Sequence, residues 1–285
     1  MPTWTEGWYV DGEPVAAHGR VLETREGWDD LPALRGDDVE MLGRHGERFR
    51  PKLYGPGRKT LTIGVHGTGD DGWSLVDDPR QQRAAYEEHL DALLRMFAAR
   101  RRLLDVVRVH ADGSRRRAGC QVVTALAPKP LGHSYGQVVV ELAIPSAFWE
   151  DVDPTSYALP YDVARGGPQT LEVHSLIGQT APCPDARVEV TGPCTAVSMR
   201  DEETGRGWSY TGAVSTGQVL EVDAGAWTAR LDGTSVITAL AYDTAQLLEV
   251  SLAPSASRGP RVLVDIAGGG AGTRITIQTR RRWLR

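Results

Sequence analysis

The segment 261–285 alternates between apolar and polar positions with a period of two. Two alternating rows flank a glycine-rich stretch at 268–272. The rows comprise Val262, Val264 and Ile266, then Ile275, Ile277, Thr279, Arg281 and Trp283. Alternation on both sides of a glycine turn is typical of a hairpin with one buried face. We therefore predict that a β-hairpin closes the chain.

Further short strand patterns, separated by Gly and Asp turns, fill the C-terminal half of the chain. They cover 170–178, 186–192, 195–200, 207–212, 219–225, 226–233 and 247–254. Strands that recur about every 8–12 residues are typical of a β-sandwich or β-barrel.

The N-terminal half also carries strand patterns, at 8–10, 18–24, 59–66, 104–110, 116–126 and 137–144. Asp11-Gly12 and Asp112-Gly113 stand where turns are needed. The charged stretch 26–46 is punctuated by Pro and Gly, and it predicts a loop.

One helix is predicted at about 79–101. Asp77 and Asp78 precede Pro79, which suits a helix start. An apolar stripe follows at helical spacing, formed by Tyr86, Leu90, Leu93, Leu94 and Phe97. We expect this stripe to pack on a sheet. The opposite side carries the four-residue spacings Arg83–Glu87 and Asp91–Arg95, and it is either solvated or a contact with another subunit. Candidate subunit-interface residues on that side are Arg80, Arg83 and Glu87.

The segment 151–169 has three Pro, two Gly and no periodicity, so we interpret it as a connector. The predicted fold is mainly β, with two β-sandwich-like domains. The first, 1–152, contains the inserted helix, and the second is 153–285.

Composition narrows the class of protein. With 285 residues, 41% hydrophobic and 24% charged, the chain can bury an ordinary core. The N-terminus shows no secretory signal, and no apolar run is long enough to span a bilayer. We therefore expect synthesis in a cytoplasm and no membrane partner. The net charge of −5 argues against specific nucleic-acid binding.

Residues of the types that act in catalysis or ligand binding are scattered along the chain. Gly67, Gly69 and Gly72 match G-x-G-x-x-G after a strand, but the helix begins too late for a dinucleotide site, so a glycine loop is preferred. The histidine spacings match no metal motif, and no nucleophile signature is present. We expect no enzyme activity, no cofactor and no metal. Of Cys120, Cys183 and Cys194, the last two suit a cross-hairpin disulfide, although buried free thiols are the preferred interpretation.

The order of these elements resembles the distal tail protein (Dit) family of siphovirus-type bacteriophages. The resemblance spans the chain and uses Asp11-Gly12, the stretches 44–46 and 58–66, and the closing strands. Other matching stretches are VLEVDAG and ARLDG within 219–233, LLEVSLAP at 247–254, and ITIQTRRRWL at the end.

The resemblance implies that the protein is a homo-oligomer, a hexameric ring. The N-terminal domain builds this ring, which lies at the tip of a phage tail in the virion. The resemblance also implies a galectin-like C-terminal sandwich, and partners that are the tail tube protein, the tape-measure protein and tail-tip hub proteins. Sugar binding does not carry over, since the chain has no Asn; Trp208 and Trp227 are interpreted as core or interface residues. The function hypothesis is a structural baseplate protein. The alternatives are a carbohydrate-binding module of a host-recognition protein and a nucleotide-using enzyme.

Overall fold

The computed structural model describes residues 4–36, 39–40, 47–48, 52–69, 74, 77–98, 101–242 and 247–285. Contacts divide the chain into two compact units, Met1–Val152 with Leu284–Arg285, and Asp153–Trp283. That the two units are separately folding domains stays a prediction. The mainly β fold class is confirmed, with one α-helix among the described residues.

In the N-terminal unit, the described elements are β1 (Gly7–Val10), β2 (Glu13–Pro14), β3 (Arg20–Glu26), β4 (Leu34–Arg35), β5 (Val39–Glu40), β6 (Glu47–Arg48), β7 (Leu53–Tyr54), β8 (Gly57–His66), helix α1 (Pro79–Met96), β9 (Leu104–Val109), β10 (Arg115–Val122), β11 (Lys129–Pro130), β12 (Tyr135–Ile144) and β13 (Trp149–Asp151). The main sheet is antiparallel, in the order β2-β1-β9-β10-β12-β8-β3.

Helix α1 begins as the sequence predicts. Asp78 is the N-cap, and its carboxylate accepts a hydrogen bond from the Arg80 backbone N–H at 2.9 Å. Tyr86, Leu93 and Phe97 of the apolar stripe are buried, and the helix contacts β8. The predicted C-terminal end is wrong, because the helix ends at Met96 and Phe97 is the C-cap. Arg100 lies outside the described residues.

The C-terminal unit contains β14 (Thr155–Leu159), β15 (Gln169–Glu172), β16 (Arg187–Thr191), β17 (Ala196–Asp201), β18 (Gly207–Tyr210), β19 (Val219–Asp223), β20 (Thr228–Leu231), β21 (Thr234–Ser235), β22 (Leu240–Tyr242), β23 (Arg261–Ala267), β24 (Arg274–Thr279) and β25 (Arg282–Trp283), with short 3-10 turns at His174–Leu176 and Ile237–Ala239. One sheet has the order β14-β24-β16-β19-β20-β21, and the other has the order β15-β23-β17-β18-β22. Their inner faces meet in a single apolar core.

The predicted closing hairpin is wrong, although both of its strands exist. β23 pairs with β15 and β17 in one sheet, whereas β24 pairs with β14 and β16 in the other. The chain therefore crosses the sandwich at the glycine-rich turn. Alternation shows that each strand buries one face, but both sheets of a sandwich present the same alternation, so the pattern does not identify the partner.

Two further segments differ from their predictions. The predicted connector 151–169 holds strand β14, and its following loop is tied by hydrogen bonds between Gln169 and the backbone of Asp162 at 2.6 and 2.9 Å. The predicted strand at 247–254 forms only an isolated bridge between Val250 and Cys183. There, Ser251 donates from its backbone N–H and its hydroxyl to the buried carboxylate of Asp201 at 2.9 and 2.8 Å.

We expect Leu93→Asp to destabilise the N-terminal unit by about 3 kcal/mol or more, because it puts an unpaired carboxylate into a fully buried site. Ala84→Asp, on the exposed side of the same helix, is the matched control. Thermal unfolding followed by circular dichroism measures both. Equal melting temperatures for the two variants would show that the stripe is not core.

Truncation after Gly272 should unfold the C-terminal unit, since it removes β24 from between β14 and β16 together with the buried Ile275 and Ile277. Each re-exposed side chain costs about 1.5–3 kcal/mol, against the roughly 5–15 kcal/mol of a typical domain. Truncation after Trp283 is the control. A soluble chain 1–272 with an unchanged β-sheet spectrum would contradict this account.

Candidate functional site

The exposed side of helix α1 carries the predicted interface residues. Arg83 Nε donates to Glu87 Oε1 at 2.7 Å, and Arg83 Nη1 donates to the His133 carbonyl at 3.1 Å. Both side chains are therefore engaged within the subunit. Arg80 is exposed. At the second four-residue spacing, Asp91 and Arg95 make no ion pair in the described structure. The interface role of Arg80, Arg83 and Glu87 stays a prediction.

A two-stranded ribbon, β4 with β7, carries apolar side chains into solvent. Leu31, Leu34 and Leu53 are 63%, 59% and 66% exposed. The base of the ribbon is fixed where Tyr54 packs edge-on against Phe148, with ring centroids 5.3 Å apart. Large apolar side chains this exposed are candidates for burial at an interaction surface. We call Leu31, Leu34 and Leu53 the leucine ribbon.

The sequence analysis missed the leucine ribbon because it interpreted 26–46 as a charged loop. The available signal was the presence of leucines at 31 and 34 within that stretch, with a third at 53 just before the long strand β8. Pairing of β4 with β7 sets Leu34 opposite Tyr54 and Leu53 opposite Arg35, so the two leucines lie on opposite faces of one ribbon.

A cleft of about 540 Å³ lies between helix α1 and the β1–β2 turn. Its lining mixes Arg, Glu and His side chains. Hydrogen bonds from Arg102, at 2.7 and 2.8 Å, hold the pKa of Asp11 below its ordinary value. The backbone N–H of Asp105 also donates to Asp11 at 3.1 Å. These bonds fasten the predicted Asp11-Gly12 turn to the start of β9.

The glycine motif has a packing role at its first position. A Cβ on Gly67 would lie 2.0 Å from the carbonyl oxygen of Gln82 on helix α1, so only glycine fits there. The Gly69 N–H donates to the Ser74 carbonyl at 2.8 Å. Gly72, the third glycine of the motif, lies outside the described residues.

The two tryptophans singled out from the sequence occupy different environments. Trp208 is buried in the sandwich core, which confirms its core assignment. Trp227 is 44% exposed, and its ring lies edge-on to that of the equally exposed Tyr242, with centroids 6.0 Å apart. Trp227 also has a positive φ of 56°, which is unusual for a bulky residue.

Among the described residues we searched for metal-ligand clusters and for helices that could cross a membrane. In the ranges that the structure describes, no three His, Cys, Asp or Glu side chains come together as a metal site requires. Over the same ranges, no helix has the length and hydropathy to cross a bilayer.

All three cysteines are buried free thiols, as preferred from the sequence. Burial raises the pKa of Cys120 and of Cys183 to about 12, because the low-dielectric core disfavours the thiolate. Burial raises the pKa of Cys194 as well. A disulfide between Cys183 and Cys194 is absent from the structure.

Comparison with known proteins finds similarity in fold but none in sequence. No protein-family model matches the chain, and no curated protein matches it in sequence. Among solved structures, one shares the fold of this chain over nearly its whole length. The chain is similar to the SPP1 Dit (gp 19.1) protein, described as a paradigm of hub adsorption apparatus in phages that infect Gram-positive hosts, with a TM-score of 0.63 and 11% identity over 97% of this chain and 98% of that one.

Two phage P2 baseplate structures, in the activated conformation with calcium and with strontium, also align. Their TM-scores are 0.38 and 0.32, with 6% and 8% identity over 94% of this chain and 92% of each of those. These scores are too low to bear on the fold. The resemblance to the distal tail protein family inferred from the sequence is thus confirmed at the level of fold by the SPP1 protein.

We expect Cys120 and Cys183 to resist a thiol reagent at pH 8 in the folded protein. A pKa raised from 9.0 to about 12 lowers the thiolate fraction about a thousandfold. The unfolded thiols ionise first as pH rises, so these two groups should also weaken stability above about pH 9. Reaction with Ellman's reagent, with and without denaturant, measures this. A Cys194→Ser variant isolates the two thiols, and their rapid reaction in the folded protein would contradict the burial.

Proposed function

We propose that this chain is a structural component of a phage tail tip, in which copies of it form a ring. The observation that carries the proposal is the likeness of fold to the SPP1 Dit protein over nearly the whole of both chains.

The ring would be built by the N-terminal unit. A closed ring needs a head-to-tail contact between two different surfaces of each subunit. The leucine ribbon supplies exposed leucines on both faces of β4 and β7, and a neighbouring subunit that encloses the ribbon would bury them. A second copy of the chain is the occupant we propose for it, because every subunit in a ring meets the same neighbour. The ring would be a hexamer, as the resemblance implies.

The partners that follow from this proposal are the tail tube protein, the tape-measure protein and the tail-tip hub proteins. The protein would act in the virion, at the tail tip, after synthesis in the host cytoplasm. It would bind no nucleic acid specifically, in keeping with its net charge of −5. The C-terminal unit would be a galectin-like sandwich that projects from the ring.

A second candidate function is carbohydrate binding by the C-terminal unit. The exposed Trp227 and Tyr242 rings favour it, since aromatic faces at a surface suit contacts with sugar rings. A glycan array probed with the full chain separates the two functions. Binding that Trp227→Ala abolishes supports a sugar site, and its absence leaves assembly as the role.

We expect the full chain to self-associate to a mass near six times the 31.0 kDa of one chain. Leu53→Glu should reduce that mass, because a charge in an apolar contact opposes burial. Leu263→Glu, an exposed leucine on β23 in the other unit, is the control. Light scattering across concentrations measures all three proteins. Wild-type protein that stays monomeric would contradict the ring, and an unaffected Leu53→Glu would exclude the leucine ribbon from it.

A further inference from the structure

The cleft between helix α1 and the β1–β2 turn contains one buried arginine. Arg20, at the start of β3, is 6% exposed and lines the cleft. Its Nε donates to the Ala17 carbonyl at 3.0 Å, and its Nη2 donates to the Pro14 carbonyl at 3.2 Å. A guanidinium carries more N–H donors than these two bonds use, and those on Nη1 have no acceptor among the described residues.

Arg20 has no carboxylate partner either. It forms no ion pair with any described residue, and Glu13, which is exposed, makes no hydrogen bond to it. Burial lowers the pKa of Arg20, because the buried charge loses its solvation by water, and the charge of Glu13 opposes this effect without cancelling it. Buried charges in proteins are normally paired. Arg20 is therefore a buried cation that still lacks an anion.

The backbone next to Arg20 is fixed against helix α1. A Cβ on Gly19 would lie 2.4 Å from His89 Nδ1 and 2.6 Å from the His66 carbonyl oxygen, so only glycine permits this close approach. His89 Nδ1 donates to that same carbonyl at 2.8 Å. Because a carbonyl only accepts, Nδ1 carries a proton, and Nε2 is the His89 nitrogen left for other contacts. The cleft therefore has a preformed wall, to which His89 adds a second polar group.

The other charged groups of the lining decide which anion the cleft suits. Asp11, Glu13 and Glu88 all line it. Asp11 is neutralised by Arg102, at 2.7 Å, whereas Glu13 and Glu88 form no ion pair with a described residue. These two carboxylates would repel a phosphate dianion more strongly than a singly charged anion. The charge of the cleft therefore favours a monocarboxylate.

The size and the apolar part of the lining indicate the rest of the ligand. The volume of about 540 Å³ is within the range of small-molecule sites. Apolar surface is contributed by Val10, Ala92 and Met96. A ligand that fills the cleft would bury apolar atoms against these side chains while its charged end meets the arginine.

We propose that this cleft binds a small monocarboxylate with an apolar body, and that Arg20 holds the carboxylate. Arginine presents parallel N–H donors that match the two oxygens of a carboxylate. His89 Nε2 adds a further donor when it is protonated. The lining includes no residue of the leucine ribbon, so the site would bind its ligand in a monomer as well as in a ring.

The test titrates the full chain into para-fluorobenzoate, followed by fluorine NMR. We expect saturable binding to wild type. Arg20→Lys should bind about tenfold more weakly, because an ammonium cannot present the paired donors. Glu13→Gln should bind about twofold to fivefold more tightly, because it removes a repulsive carboxylate. The matched control is Glu26→Gln, an exposed acid of β3 outside the lining, which should bind as the wild type does.

Two further probes test the chemistry of the ligand. The uncharged para-fluorobenzamide and the dianionic para-fluorophenyl phosphate should both bind more weakly than the carboxylate. Equal or tighter binding of either one would overturn the proposal. Because Arg20 also holds two backbone carbonyls, Arg20→Lys needs a check of its fold by circular dichroism. If it unfolds, the opposite expectations for Glu13→Gln and Glu26→Gln still decide the test.

Two other results would also contradict the site. Equal binding of para-fluorobenzoate by the wild type and every folded variant would place the probe elsewhere on the chain. Binding by Glu13→Gln alone would show that Glu13 itself occupies Arg20 in solution, so the native cleft takes no external carboxylate.

Discussion

The antiparallel ladder between β8 and β12 is the constraint on which the N-terminal unit depends. It runs over ten residues of each strand, from His66 opposite Tyr135 to Gly57 opposite Ile144, without a shift in register. Because side chains alternate along both strands, this register puts every second residue into the core, where helix α1 packs. The start of β8 adjoins the leucine ribbon, and its end leads into Gly67 beside the helix. A slip of one residue would reverse all of these placements.

Different features stabilise the fold of the C-terminal unit. Its chain alternates between two sheets, and the crossing from β23 to β24 completes both of them. Buried polar groups fix the segments that do not form strands. Asp201 accepts four hydrogen bonds, from Ser251 and Thr204. Arg282, itself buried, pairs with Asp185. These hydrogen bonds and the ion pair fix the position of the chain where alternation gives no guidance.

Much of this fold could be predicted from local signals. Asp78 and Pro79 define the start of the helix, and alternation locates most strands, because both signals depend only on neighbouring residues. Partners in a sheet depend on distant residues, so β23 and β24 were wrongly joined. The run at 247–254 buries Leu247, Leu248 and Val250 but forms only the isolated bridge to Cys183, which periodicity alone does not distinguish from a strand.

The leucine ribbon gives the N-terminal unit exposed apolar side chains that a repeated subunit contact would bury. The most direct measurement of the central claim is electron microscopy of the purified full-length protein, with class averages of single particles. The account predicts closed rings with rotational symmetry and a central opening. Particles of single-chain size at every concentration, or open filaments, would contradict it.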